Sequence, residues 1–215
     1  MAGMKLHGYF RSSAAYRVRI AMNLKGLAYD QTSIHLRKGD QFSDAYRKLN
    51  PAELVPALED GPHVLTQSLA IVEYLEETHP TPALLPKSPA ERARVRAIAL
   101  NIACDIHPLD NLRVLVYLEK QLGHDQKTRD RWFAHWIDLG FAAIERLLGD
   151  GKTGKFCHGD APGMADLCLV PQVANAARVN LDMSRYPAIA RINAECGKLP
   201  AFQKALPQNQ PDAEK

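Results

Sequence analysis

A small α/β domain followed by an all-helical domain is the fold class this sequence predicts, and three observations predict it. Short β-type segments alternate with helical ones up to about residue 80, Pro80, Pro82, Pro86 and Pro89 punctuate a short connection, and apolar residues then keep helical spacing almost to the end. The predicted domains are therefore 1–82 and 89–215. With 215 residues, 46% of them hydrophobic, the chain can bury one large core or two modest ones, and a disordered chain is excluded.

Met4–Tyr9 reads as a strand, Ala15–Leu24 as a helix, Leu27–His35 as a second strand and Ser43–Leu49 as a short helix, so a parallel βαβ unit is expected. Pro56 opens a third strand, Asp60-Gly61-Pro62 turns the chain, His63–Leu65 returns, and Ser68 starts a helix carrying Leu69, Ile71, Val72 and Leu75. The order is βαβαββα. Beyond the prolines, Glu91–Leu122 keeps helical spacing with Pro108 as the expected kink, and Arg129–Leu148 repeats it through Trp132, Trp136, Leu139, Ile144 and Leu147. A third helix begins at GDAPGMADLCLVPQVANA, with Gly163 as N-cap and Asp166 near the positive end of the helix dipole. The tail from Pro207 is expected to fray.

Charge and composition narrow the function classes. The formal net charge is +3, and the basic residues are spread without a run, which gives nucleic-acid binding by a basic patch no support. No stretch approaches the roughly 20 apolar residues that span a bilayer, and MAGMKLHGYF lacks a signal-peptide pattern, so a soluble, cytoplasmic protein is expected. Cys104, Cys157, Cys168 and Cys196 form no Cys-x-x-Cys pair and read as reduced thiols, mostly in the core.

Four segments carry candidate chemistry. Arg11-Ser12-Ser13 leaves the first strand and enters the first helix, where free N–H groups and a hydroxyl favour an anion; Ser12 there stabilises a thiolate or is an ordinary N-cap, and Arg11 and Arg17 read by default as solvated charges. Val55-Pro56 precedes a strand, where a cis bond would free the Val55 backbone for an extended peptide and a trans bond would simply start the strand. Gln67-Ser68 opens a helix that suits a carboxylate, or is only a capped start. CDIHPLDNLR gathers Asp105, His107, Asn111 and Arg113 around Pro108; one histidine with so few carboxylates argues against zinc and for polar contacts at a kink. Arg178, after VPQVANAA, is a lone cation.

RSSAAYRVRIAMNLKG, LNPAELVPAL, QSLAIVEYLEE and GMADLCLVPQVANAARVNLD occur in order across nearly the whole chain, which thereby resembles the zeta class of glutathione transferases, the maleylacetoacetate and maleylpyruvate isomerases. The resemblance implies the glutathione transferase fold: a thioredoxin-like domain binding glutathione, an all-α domain completing a pocket for a small acidic diketo diacid, and a homodimer. It implies that Ser12 and Ser13 lie at the thiol, Gln41 and the Val55 backbone along the peptide, Gln67 and Ser68 at the γ-glutamyl carboxylate, and His107 with Asp105 at a further glutathione contact. Arg11, Asn111, Arg113 and Arg178 match positions beside the acidic substrate, and Ser12 with the three arginines matches the catalytic set. Ala14 stands where many zeta-class members have a cysteine, which removes a protein thiol and leaves the glutathione sulfur to react.

The activity so implied is cis–trans isomerisation of maleylacetoacetate to fumarylacetoacetate in tyrosine and phenylalanine breakdown, with maleylpyruvate in gentisate breakdown as the alternative. Leu112 beside Arg113 tilts the reading toward maleylacetoacetate. A general glutathione transferase conjugating small electrophiles uses the same thiolate, but three arginines suit an acidic rather than an apolar second pocket. A non-catalytic glutathione-binding module is disfavoured by retention of the thiol, peptide and arginine positions. A thiol–disulfide oxidoreductase needs a cysteine near the first helix, and none precedes Cys104.

Overall fold

The computed structural model describes residues 3–214, so the outermost ends of the expected domains, residues 1, 2 and 215, lie outside the described residues. The first part of the chain folds in the expected order: β1 (Met4–Gly8), α1 (Ser13–Leu24), β2 (Tyr29–Ser33), α2 (Asp44–Leu49), β3 (Ala57–Asp60), β4 (His63–Thr66) and α3 (Ser68–Thr78). The sheet runs β2-β1-β3-β4, with β1 parallel to β2 and β3 antiparallel to both β1 and β4. The parallel pair needs a crossover, which α1 supplies, whereas β3 and β4 need only the turn at Gly61.

Helix α1 approaches β1 closely because both sides of the contact are small; a Cβ on Gly8 would stand 3.3 Å from the Ala15 Cβ. From Ser13 to Met22 every residue of α1 is buried, the pattern of a helix covered on several sides rather than on one stripe. Two of its covers are α3 and a helix from the far end of the chain.

The second part is helical: α4 (Pro89–Leu100), α5 (His107–Asp110), α6 (Leu112–Lys120), α7 (Gln126–Leu147), α8 (Met164–Ala177) and α9 (Pro187–Gly197). The single kinked helix expected over Glu91–Leu122 is instead broken twice. Asn101–Ile106 widens into a π-helix just ahead of Pro108, and Asn111 turns extended to cap α6 through its side chain. Pro108 lacks an N–H and its ring crowds the carbonyl one turn back, so regular helical bonding cannot run through it. The π segment lies against α7, where a Cβ on Gly140 would stand 2.2 Å from Ile106 Cδ1, so any larger residue there would force the buried Ile106 side chain to move. In α7 the buried residues are Phe133, Ile137, Phe141 and Ile144, while Leu139 and Leu147 are 57% and 41% exposed. Of the stripe read through Trp132, Trp136, Leu139, Ile144 and Leu147, Ile144 faces inward, and the inward stripe is otherwise rotated, because a helix apolar on adjacent stripes has a clear period but an ambiguous face.

Helix α8 starts as expected. Asp166 accepts from the Gly163 N–H at 2.8 Å and from the Cys157 N–H at 2.9 Å, tying the preceding loop to the helix start.

The chain divides into two compact units, one of residues up to Leu84 with those from Gly197 on, the other Leu85–Cys196. The end of the chain therefore belongs with the first unit, where 89–215 was read as one helical domain. Helix α10 (Pro200–Ala205) packs on α1, and the tail beyond Pro207 is pinned rather than frayed. Gln210 is buried, donates to the Lys204 and Leu206 carbonyls and accepts from Gln31, and Asp212 accepts from the Phe10 N–H and the Ser33 hydroxyl.

Candidate active site

The turn between β1 and α1 is fixed before any side chain is presented. Arg19, 1% exposed, donates from Nη1 to the Tyr9 carbonyl at 3.5 Å, from Nη2 to the Phe10 carbonyl at 3.1 Å and from Nε to the Ala205 carbonyl at 3.1 Å. Burial pulls its guanidinium down to about 10, which leaves it charged at neutral pH. With the Asp212 bond to the Phe10 N–H, both sides of this turn are held by partners distant in sequence.

Ser12 follows as the N-cap of α1. Its Oγ accepts from the Ala15 N–H at 3.1 Å, and its own N–H donates to the Tyr9 carbonyl at 2.9 Å. The cap uses a lone pair of the hydroxyl, so the O–H stays available to donate to an anion at the helix end. Capping and thiolate binding are therefore compatible uses of one group. Ser13 is buried in the first turn, and Arg11 is half-buried beside them.

A second helix start in the same unit lies at Gln67 and Ser68. Gln67 is exposed and takes φ 67°, a conformation costly for a residue with a Cβ and concentrated at functional positions. Ser68 is buried, and its Oγ accepts from Arg17 Nη1 at 3.2 Å. Arg17, read as a solvated charge, is in fact buried, because α3 and α10 both cover α1.

The segment before β3 is clamped from α2. The Leu54 carbonyl accepts from the Tyr46 hydroxyl at 2.6 Å and from Asn50 Nδ2 at 2.7 Å, and burial pushes the Tyr46 hydroxyl up to about 12, so it remains a donor. The Val55 side chain joins a core cluster with Tyr9, Phe10, Ile34 and Tyr46, and the Val55–Pro56 bond is cis. Among the described residues the Val55 backbone makes no backbone hydrogen bond. Gln41 is buried, donates to the Leu36 carbonyl at 3.2 Å and keeps an unpartnered Oε1. A sheet unit with a fixed carbonyl beside a free N–H and C=O can pair with an extended peptide, and two helix starts can take anions; a tripeptide with a thiol and a carboxylate fits this set.

In the helical unit, Asp105 is exposed in the π segment and His107 half-buried at the start of α5. Asn111 Oδ1 accepts from the Arg113 N–H at 3.1 Å, so Asn111 is a helix cap, and the Arg113 side chain is exposed. Arg178 ends α8, donates to Asn175 Oδ1 at 3.5 Å and lies over the Phe133 ring at 5.2 Å, which fixes an exposed cation. Burial pushes the Cys157 and Cys196 thiols up, so they stay protonated, and no cluster among the described residues suits a metal ion. Sequence reasoning misread Arg17 as solvated and passed over Arg19, Tyr46 and Asn50; of these three, Asn50 alone left a signal, as a polar residue before Pro51 at a helix end.

Two family models match, the glutathione S-transferase N-terminal domain over residues 6–83 and its C-terminal domain over residues 112–192. A probable maleylacetoacetate isomerase of Vibrio cholerae is 52% identical over 99% of this chain and 100% of its own. Among solved structures, a holo maleylpyruvate isomerase described as a bacterial zeta-class glutathione S-transferase aligns with TM-score 0.96 at 48% identity, covering 98% of this chain and 100% of its own. A maleylacetoacetate isomerase of Methylobacterium extorquens with bound malonate and glutathione aligns with TM-score 0.95 at 41% identity, with the same coverage. Matched by both family models and over nearly its whole length by these relatives, this chain belongs to the glutathione S-transferase family, in the zeta class.

Proposed function

We propose that this chain is a glutathione-dependent cis–trans isomerase that converts maleylacetoacetate to fumarylacetoacetate. The observation that carries the reading is Ser12, which caps α1 with a lone pair and so keeps its O–H free at the positive end of that helix. Bound glutathione supplies a thiolate whose reversible addition to the conjugated carbon makes the cis double bond rotatable.

Each residue set then has a task. Ser12 donates to the thiolate, and the α1 dipole adds to it, which raises the charged fraction of a thiol with an ordinary pKa of about 8.5. The Ser13 region completes that helix start. Val55 offers its backbone N–H and C=O to the peptide, Gln41 its side-chain amide, and Gln67 and Ser68 take the γ-glutamyl carboxylate. Asp105 and His107 form the further glutathione contact. Arg11, Arg113 and Arg178 bind the carboxylates of the diacid and stabilise the charge that develops on it, while Asn111 orients it. No protein thiol is needed, in keeping with Ala14 beside the serines.

Maleylpyruvate shares the maleyl group, and the isomerase of that substrate aligns as fully as those of maleylacetoacetate. The test presents both compounds in parallel with glutathione well below substrate concentration, following loss of the cis isomer and total thiol. Turnover of maleylacetoacetate with thiol unchanged is the expected result, and faster turnover of maleylpyruvate would reassign the substrate. Stoichiometric thiol loss would convert the reading to conjugation, and no turnover of either compound would remove it. The reading includes a homodimer, measurable by light scattering, and a cytoplasmic location, measurable by cell fractionation.

A further inference from the structure

Helix α1 carries two buried arginines, and only one of them is accounted for. Arg19 is 1% exposed, and each of its three nitrogens donates to a carbonyl. Arg17, one half-turn away and 2% exposed, has one donor in use, Nη1 to Ser68 Oγ at 3.2 Å. Its Nε and Nη2 have no hydrogen-bond partner among the described residues, and no carboxylate there pairs with it. A guanidinium taken out of water without a countercharge is costly, and a folded protein retains one where a ligand supplies the missing charge.

The position of Arg17 says which charge that is. It stands behind Ser68, the first residue of α3, a helix of 11 residues whose positive end already favours an anion. By donating to Ser68 Oγ it occupies a lone pair of that hydroxyl and directs the O–H outward, away from the guanidinium. A full positive charge is thereby held one hydrogen bond from the positive end of α3. We infer that Arg17 is the buried countercharge for the γ-glutamyl α-carboxylate of glutathione, acting through Ser68 as a positioning residue. The inference rests on the glutathione reading given above.

The test compares glutathione with 4-aminobutanoyl-cysteinyl-glycine, which lacks only that carboxylate, by titration calorimetry on the wild type, Arg17→Met, Arg17→Lys and Ser68→Ala. Circular dichroism and light scattering check fold and oligomeric state. The wild type should prefer glutathione, Arg17→Met should lose about tenfold in affinity for glutathione and change little toward the analogue, and Arg17→Lys should recover part of the loss. Adding Arg17→Met to Ser68→Ala should cost less than Arg17→Met alone, since the two act in series. In turnover, Arg17→Met should raise the KM for glutathione and leave kcat at saturating glutathione, a split that a general loosening of the fold does not produce. An equal loss toward both tripeptides, or a change of oligomeric state with no selectivity, would overturn the inference and make Arg17 a structural group. If Arg17→Met does not fold, Arg17→Lys and the wild-type preference still decide. Equal wild-type affinity for the two tripeptides would refute the carboxylate role and leave the glutathione reading standing, whereas binding of neither would refute both.

Discussion

Replacing Ser12 separates two uses of one hydroxyl, because Ala and Gly remove the same O–H but not the same stability. The Oγ accepts from the Ala15 N–H at 3.1 Å in a cap whose φ and ψ are −70° and 115°. Loss of a serine cap to alanine costs about 1 kcal/mol, and to glycine only a few tenths. The donated bond to a thiolate is a separate quantity, about 1.5–3 kcal/mol for a charged partner. That corresponds to about one to two pKa units on the bound thiol, and so, below its pKa, to a thiolate fraction and a rate lower by about 10- to 100-fold. Ser12→Ala and Ser12→Gly should therefore lose similar activity while differing in urea midpoint, and Ser12→Thr should retain both. The direct measurement is the far-ultraviolet thiolate absorbance of bound glutathione against pH, which should shift upward equally in both variants. An unshifted titration, or a loss of activity in Ser12→Ala that Ser12→Gly does not share, would refute the reasoning and reduce Ser12 to its cap.

Other parts of the first unit give sharper stability predictions. Lys25 Nζ donates to Glu76 Oε2 at 2.8 Å and to the His79 and Pro82 carbonyls at 2.6 and 2.9 Å, and Glu76 also accepts from the Leu84 N–H. Lys25→Met should cost about 3–5 kcal/mol in denaturant titration by taking the ammonium away from the buried Glu76 carboxylate, and Lys25→Met with Glu76→Leu should recover most of it. Asp212→Ala removes the acceptor of the Phe10 N–H and should cost about 1 kcal/mol, with faster hydrogen exchange at Phe10 as the local readout. A hydrogen bond from His7 holds the Glu59 carboxyl below its ordinary range. A depressed acid contributes stability above its unfolded pKa and loses it as pH falls through the folded value, so the melting temperatures of wild type and Glu59→Gln should differ near neutrality and converge below about pH 4.

What could be read from the sequence was whatever local chemistry decides. The βαβαββα order follows from periodicity and turn residues, Ser12 and Asp166 from cap chemistry, and the buried state of three of the four cysteines from their apolar character. What could not be read depends on which element covers which. Arg17 and Arg19 look alike in RVR, and only the arrival of α3 and α10 buries both and satisfies one. The inward face of α7 was ambiguous because apolar residues fall on adjacent stripes, and Pro108 announced a break without saying that the chain widens before it and stops at Asn111. Cis and trans forms of Val55–Pro56 have the same sequence, so that feature was open until the structure gave it.

The same distinction explains how the first unit holds its ligand groups in place. Ser12 and Ser68 present hydroxyls from helix starts, and neither start is fixed by its own neighbours alone. Arg19 and Asp212 hold the Tyr9–Phe10 backbone ahead of Ser12, Tyr46 and Asn50 hold the Leu54 carbonyl ahead of Val55, and Arg17 holds Ser68. These holding groups come from α1, from α2 and its C-cap, and from the tail, and the Asp212 contact spans nearly the whole chain. The residues after Gly197 reach this turn directly: Ala205 accepts from Arg19 and Asp212 from the Phe10 N–H, so the far end of the chain sets the turn that leads into the Ser12 cap. In the proposed function, the serine that donates to the thiolate thus owes its free O–H to a local cap and its placement to a terminal segment far from it in sequence.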